Sequence, residues 1–360
     1  MSELPSNRQT TWMITGGAGF IGSNLVHHLM AASQINLVVI DALTYAGRIQ
    51  SLEDLLPDPR LSFHQGNIND AGLLDRLFEQ HQPSVVIHLA AETHVDRSID
   101  GPQAFIDSNI LGSFTLLECC LRHLRRHPAQ ADRFRLLHVS TDEVYGSLAV
   151  DEPAVLPDAP LRPRSPYSAS KACSDHLVQA WQHSYGLPVI LTRCGNNHGP
   201  RQFPEKLIPL TILKCLRGEP VPIYGDGSQV RDWLHVHDHC RALHLIAQQA
   251  RPGEIYHISA NEPWSNLELV SRLCDWVDES RGTPGQSRRL ITHVKDRPAH
   301  DQRYAIDSRA LRQQLGWQPQ LQGELGFKQT IDWYLRHEEW WLPLLEEGLR
   351  RRGLNPPLLP

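Results

Sequence analysis

Short apolar runs alternate with longer segments of helical period through the first half of the chain. The runs are Trp12–Thr15, Leu37–Ile40, Val85–Ala90, Leu136–Ser140 and Val189–Thr192. Continuous apolarity over four to six residues is the pattern of a strand buried on both faces. Between them the pattern predicts helices over Ile21–Ala32, Gly101–Leu124 and Pro166–Tyr185. Repeated strand–helix units predict an α/β fold, a Rossmann-like doubly wound parallel sheet with right-handed crossovers. After Asn196 the rhythm changes and prolines cluster (Pro200, Pro204, Pro209, Pro220, Pro222). A helix around His237–Gln249 and a strand at Ile255–Ser259 are placed to return to the first sheet. The expected division is a large domain over 1–195 with return segments near 236–262, and a smaller C-terminal lobe from 196–235 and 263–360.

Composition narrows the class. The 360 residues are 41% hydrophobic and 21% charged, with a net charge of −5, which argues against a general attraction to nucleic acid. Seven scattered cysteines include no CxxC pair and read as reduced thiols. Met1–Thr10 lacks the apolar core of an export signal, and no apolar run reads as long enough to span a membrane. The expected setting is cytoplasmic. Only five lysines occur (Lys171, Lys206, Lys214, Lys295, Lys328), so each is worth examining.

Gly16-Gly17-Ala18-Gly19-Phe20-Ile21-Gly22 follows the first apolar run and opens a helix. Glycines there permit a tight turn and close approach of backbone to a pyrophosphate at the helix N-terminus. Asp41 ends the second run, 19 residues after Gly22. A carboxylate at that point can bind both ribose hydroxyls and repels a 2′-phosphate, so NAD is expected rather than NADP. Asn67-Ile68, after a third apolar stretch, could meet the adenine. Leu89-Ala90-Ala91-Glu92-Thr93 ends the fourth strand, where small residues let a cofactor pass.

Tyr167 alone among the eight tyrosines has a lysine, Lys171, at i+4. On a helix the two share a face, and a nearby ammonium favours phenolate. Tyr167 could then take a proton from a sugar hydroxyl as hydride leaves the same carbon. Thr141, Asp142 and Glu143 follow the fifth strand, at the end where ligands bind in such sheets. Paired carboxyls can serve as general acid and base when their pKa values are pushed apart.

These residues resemble the extended short-chain dehydrogenase/reductases and, within them, the dTDP-glucose 4,6-dehydratases. Further matching segments are Asp41–Gly47, His94–Ile99, Gly195–Pro200, Phe203–Pro209, Arg231–Leu234, Asp296–Asp301 and Arg303–Asp307. The resemblance implies C4 oxidation by Tyr167 with Thr141 and Lys171, removal of the C5 proton by Glu143, and protonation of the departing C6 hydroxyl by Asp142. Hydride return to C6 then regenerates NAD. It assigns the cofactor to Gly16, Gly19, Phe20, Ile21, Gly22, Asp41, Ala42, Leu43, Thr44, Asn67, Ile68, Leu89, Ala90, Ala91, Thr93, Ser108, Tyr167, Lys171 and Asn197. It assigns the nucleotide sugar to Thr93, Thr141, Asn196, Lys206, Leu207, Pro222, Ile223, Tyr224, Arg231, Asn266, Asp296, Arg297 and His300. The larger domain would then bind NAD, the lobe dTDP-glucose, and the Gly101–Leu124 and Pro166–Tyr185 helices would pair subunits in a homodimer. Asn67, Thr93, Gly195, His198 and Ala299 depart from the family pattern. Ala299 stands for a usual glycine and would cost about 1 kcal/mol if that position needs a positive φ.

Other readings are a UDP-sugar dehydratase, a 4-epimerase, or a catalytically silent NAD-binding protein. His235, His237 and His239 alternate as in a strand-borne metal motif, but a helix starting at His237 would break the alternation, so no metal is expected. Arg125-Arg126 and Arg350-Arg351-Arg352 read as solvated faces. Trp333, Trp340 and Trp341 read as one amphipathic helix packing a core.

Overall fold

A computed structural model describes residues 10–346. The arginine run at 350–352, residues 1–9 of the N-terminal segment and the end of the expected C-terminal lobe lie outside the described residues.

The strands in chain order are β1 (Thr11–Thr15), β2 (Asn36–Asp41), β3 (Leu61–Gln65), β4 (Val85–His88), β5 (Arg135–Thr141), β6 (Val189–Cys194), β7 (Asn196–His198), β8 (Val221–Tyr224), β9 (Val230–His235), β10 (Ile255–Ile258), β11 (Pro263–Ser265) and β12 (Ile291–Val294). Seven form one sheet in the order β10-β6-β5-β4-β1-β2-β3, and every neighbouring pair is parallel.

The apolar runs become strands because both faces are covered. Trp12, Ile14, Leu37, Val39, Ile87 and Ile190 pack to one side, with Leu25 and Leu29 of the Phe20–Ala32 helix and Leu243 and Ile246 of the Val236–Gln249 helix. Met13, Val38, Ile40, Val86, Leu136 and Leu191 pack to the other. There they meet Leu74 and Phe78 of the Ala71–His81 helix, Leu117 and Cys120 of the long helix Gln103–Arg126, and Val178 of the Pro166–Tyr185 helix. Each such aliphatic burial contributes about 1.5–3 kcal/mol. Strand order reverses between β1 and β4, and the crevice beyond their carboxyl ends is where a ligand fits this topology.

The helix expected over Gly101–Leu124 runs Gln103–Arg126 and contains a π-helical stretch at Ile106–Gly112. The stretch turns Asn109 inward. Its side chain accepts from the Glu92 amide at 2.8 Å and donates to the Glu92 carbonyl at 3.0 Å and the Ser170 hydroxyl at 2.8 Å. By length and composition this helix could cross a bilayer, with a mean hydropathy of 1.3 over 18 residues. That corrects the expectation of no such run; half of the window is covered by the rest of the fold.

Beyond the sheet, β11-β9-β7 form one small sheet and β12-β8 a parallel pair. Around them the helices Leu207–Arg217, Asn266–Arg281 and Gly323–Arg336 enclose Ile212, Trp233, Leu269, Leu273, Trp276, Phe327 and Ile331. The expected single tryptophan helix is two helices, Gly323–Arg336 and Glu338–Glu346, broken at His337. Trp341 is buried, and Trp333 and Trp340 pack against the same core. The helix Val236–Gln249 begins between His235 and His237, so these histidines do not alternate along one strand.

Ala299 has φ +52°, the left-handed region that a Cβ disfavours. The Ala299→Gly variant is expected to gain about 0.5–1 kcal/mol of stability in urea unfolding. An unchanged or lowered midpoint would show that the loop relaxes around the alanine.

Candidate active site

Local sequence sets the key helix. Ser165 caps Pro166–Tyr185 by accepting from the Ser168 amide, and Ser168 returns the bond to the Ser165 amide. Pro166 at the first turn and Gly186 in the left-handed conformation mark the two ends. With this start, Tyr167 and Lys171 face inward and are 7% and 4% exposed. The strand β5 ends at Thr141, whose hydroxyl accepts from the Glu143 amide at 3.3 Å and so caps the turn Asp142–Tyr145.

A cavity of about 570 Å³ opens at the carboxyl ends of the large sheet. Gly16, Gly19, Phe20, Ile21, Gly22, Asp41, Ala42, Thr44, Asn67, Ile68, Leu89, Ala90, Ala91, Thr93, Ser108, Tyr167, Lys171 and Asn197 all line it. Leu43 does not; its side chain packs on the sheet core, and its amide donates to Asp41 Oδ1 at 2.8 Å. Of the residues expected at the sugar nucleotide, Thr93, Thr141, Asn196, Lys206 and Leu207 line the cavity, as does Glu143.

Pro222, Ile223, Tyr224, Arg231, Asn266, Asp296, Arg297 and His300 are not in this lining. Ile223 is 2% exposed and belongs to the lobe core. Tyr224 and Arg297 both donate to Asp96, at 2.9 and 3.2 Å. Arg231 donates to the carbonyls of Val230, Asp301 and Gln302 and lies over the Tyr304 ring. Asn266 donates to Gln229, and His300 pairs with Asp296 at 2.7 Å.

The glycine turn fits a diphosphate. A Cβ on Gly16 would meet the Ala90 amide nitrogen at 2.6 Å, and one on Gly22 would meet the Gly16 carbonyl oxygen at 2.1 Å. Only the bare backbone leaves this cradle open. Asp41 accepts from the Ala18 amide at 2.9 Å and from Leu43, so its carboxylate is fixed at the mouth of the turn. Asn196 Oδ1 and Trp233 Nε1 are buried polar atoms at the cavity with no hydrogen-bond partner among the described residues.

Electrostatics separate the titratable groups. Burial and the neighbouring Glu143 charge hold Asp142 well above the usual carboxylate range, against the opposing pull of Arg231. Glu143 is also raised by burial, but Arg297, Arg231 and Lys206 all favour its anion. Burial pushes Lys171 down to about 8, and Asp175 opposes that fall. The expected lowering of the Tyr167 phenol by Lys171 is not what this structure shows. Lys171 Nζ donates to the Val139 carbonyl at 2.9 Å, while burial and Glu143 raise the phenol; the Thr141 hydroxyl opposes them. Thr141 also donates to Asp142 Oδ1 at 3.3 Å.

Sequence reasoning missed Tyr45, Cys194, Gln202, Phe203, Glu205 and Trp233, which line the cavity, and Asn109 and Asp96, which brace it. Phe203 and Glu205 sit in a segment singled out beforehand, and their burial is what the sequence pattern did not reveal.

The family model described as GDP-mannose 4,6 dehydratase matches residues 13–330. A dTDP-glucose 4,6-dehydratase of Salmonella typhimurium is 49% identical over 337 residues, which are 91% of this chain and 93% of that protein. One from Neisseria meningitidis is 48% identical over 348 residues, covering 95% and 98%. The crystal structure of DesIV, a dTDP-glucose 4,6-dehydratase from Streptomyces venezuelae with NAD and TYD bound, is 43% identical with a TM-score of 0.85. The match covers 93% of this chain and 100% of that one. Near-complete coverage at this identity, on a sheet and crevice of the same form, means that the chain belongs to the dTDP-glucose 4,6-dehydratases of the extended short-chain dehydrogenase/reductase family.

Proposed function

We propose that the protein dehydrates dTDP-glucose to dTDP-4-keto-6-deoxyglucose with a bound NAD. The observation that carries this reading is the acid pair. Glu143 lines one cavity end with Tyr167 and Lys171, Asp142 is buried next to it and outside the lining, and their environments push the two carboxyls apart. NAD, when bound, accepts hydride from C4 of the sugar and returns it to C6. Gly16, Gly19 and Gly22 would seat its diphosphate, and Asp41 a ribose. Of the described residues, 10–195, with 236–262 returning to the sheet, would form its domain, and 196–235 and 263–346 mainly serve the nucleotide sugar.

Tyr167, in its phenolate form, takes the O4 proton; burial and Glu143 oppose that form and the Thr141 hydroxyl favours it. Glu143, an anion held by three cations, takes the C5 proton, which the adjacent C4 ketone has acidified. Asp142, kept neutral by burial, gives its proton to the C6 oxygen, and water departs. Glu143 then reprotonates C5 as C6 is reduced. Each turnover leaves Tyr167 with the O4 proton and Asp142 short of one. The Thr141 hydroxyl, in contact with both, connects them. Lys206 and, beyond the cavity lining, Arg231 and Arg297 supply positive charge for the diphosphate.

We further propose a cytoplasmic homodimer. All seven cysteines are free, as in a reducing compartment. Ile106, Leu111 and Phe114 on Gln103–Arg126 and Tyr185 at the end of Pro166–Tyr185 are exposed apolar side chains on the two helices expected to pair. Light scattering should give twice the chain mass, and replacing Leu111 and Phe114 by Glu should give a monomer. A wild-type monomer at micromolar concentration would remove this assignment.

Tyr167→Phe is expected to abolish the first oxidation, read as loss of transient NADH absorbance. Asp142→Asn should keep that transient but slow product formation by about 10²–10⁴-fold, the usual worth of a general acid. Unchanged turnover in Asp142→Asn would contradict the acid role. The pH profile of kcat/KM should fall on the alkaline side near pH 8, because the Lys171 ammonium is present below that value and lost above it. A profile level up to the ordinary lysine value of 10.5 would contradict a working role for the Lys171 charge.

A further inference from the structure

The short helix Val95–Asp100 and the residue before it carry three polar side chains that cross to the C-terminal lobe, and the chemistry above uses none of them. Asp96, 2% exposed, accepts from the Tyr224 hydroxyl and from Arg297. Arg97 donates through Nε and Nη2 to Glu205 Oε2 at 3.3 and 3.2 Å. His94 Nε2 lies 3.7 Å from the other Glu205 oxygen. The Glu205 side chain has no exposure and meets these partners in place of water.

The tie extends to a third segment. The Arg97 guanidinium lies 3.6 Å from the centre of the Tyr45 ring, and that ring meets Phe203 edge-on at 5.4 Å. Tyr45 comes from the loop after β2, and Phe203 and Glu205 come from the lobe. All three line the cavity, whereas Arg97 does not. Opening the cavity between the β2 loop and the lobe therefore requires parting Tyr45 from Phe203 and breaking either the part-buried, charge-assisted Arg97–Glu205 bond or the stacking of Arg97 on Tyr45.

We propose that Arg97 and Glu205, supported by Asp96 and Tyr45, form a latch between the lobes that sets how slowly NAD leaves its site. The inference rests on the reading that this cavity takes NAD. It also gives that reading a needed property, since the hydride taken from C4 must remain in place until C6 accepts it. Glu205 and Arg97 are positioning residues here, because their side chains act through each other and the segments they join.

The test measures exchange of bound NAD for isotopically labelled NAD in the purified protein, with no substrate present. Wild type should exchange slowly. Glu205→Gln, which removes the charge, should exchange at least tenfold faster. Arg97→Lys keeps the charge opposite Glu205 but loses the fork and the stacking, and should also exchange several-fold faster. Arg97→Lys alters no residue of the cavity lining, so that acceleration reports the ties to Glu205 and Tyr45. If Glu205→Gln fails to fold, as judged by circular dichroism, Arg97→Lys decides. Exchange within twofold of wild type in the folded variants would overturn the latch. A wild-type protein that neither retains nor takes up NAD would instead overturn the reading beneath it.

Discussion

Exclusion of water from the carboxyl ends of β4, β5 and β6 is the constraint on which the site depends. Asp142 is 2% exposed and adjoins a second carboxyl. Two such groups cannot both ionise cheaply in a low-dielectric setting. Which one keeps its proton is decided by the surroundings. Arg297, Arg231 and Lys206 all favour charge on Glu143, whereas for Asp142 burial, the Glu143 charge and Asp232 are opposed by Arg231 and the Thr141 hydroxyl. These cations come from the lobe and the carboxyls from the sheet. The separation of the proposed acid from the proposed base thus depends on lobe and sheet together rather than on either part alone.

The same burial demands support from below. Behind Lys171, Asp175 is fully buried and pairs with Arg193 at 2.8 Å and with His138 at 3.4 Å. Arg193 in turn reaches the Tyr145 hydroxyl, which meets His257 at 2.7 Å. A buried carboxylate without such partners would be strongly destabilising, so the network fixes the helix that carries Tyr167 and Lys171 against β5 and β6. Polar order under the site and apolar packing on both sheet faces together hold the proposed catalytic groups on rigid elements.

Much of this was legible in the chain. Fully buried strands such as β1 and β2 read as apolar runs, the Gly16–Gly22 turn read as a cradle, and the Tyr167–Lys171 spacing read as one helical face. The edge strand β3 was harder, because Leu61–Gln65 is half-buried and carries His64 and Gln65. The pairing of β8 with β12 joins segments about 70 residues apart and leaves no local signal. The π-helical stretch that turns Asn109 inward has no helical-period signature. Within the site, Ile223 was expected at the ligand but fills the lobe core, because a short strand shows one face to each side and sequence does not say which. Asp96 and Glu205 were visible as letters in matching segments. Their burial, which makes them structural ties, appears only once the lobe is folded against the sheet.

The central claim is that one hydride leaves C4 and returns to C6 of the same sugar while water is lost between C5 and C6. Incubation with dTDP-glucose deuterated at C4, followed by NMR of the product, tests it most directly. The account predicts a 4-keto-6-deoxy sugar with deuterium in the C6 methyl group, and no crossover of label between differently labelled substrates mixed in one reaction. Deuterium retained at C4 of an epimer, or recovered in released NADH, would contradict it.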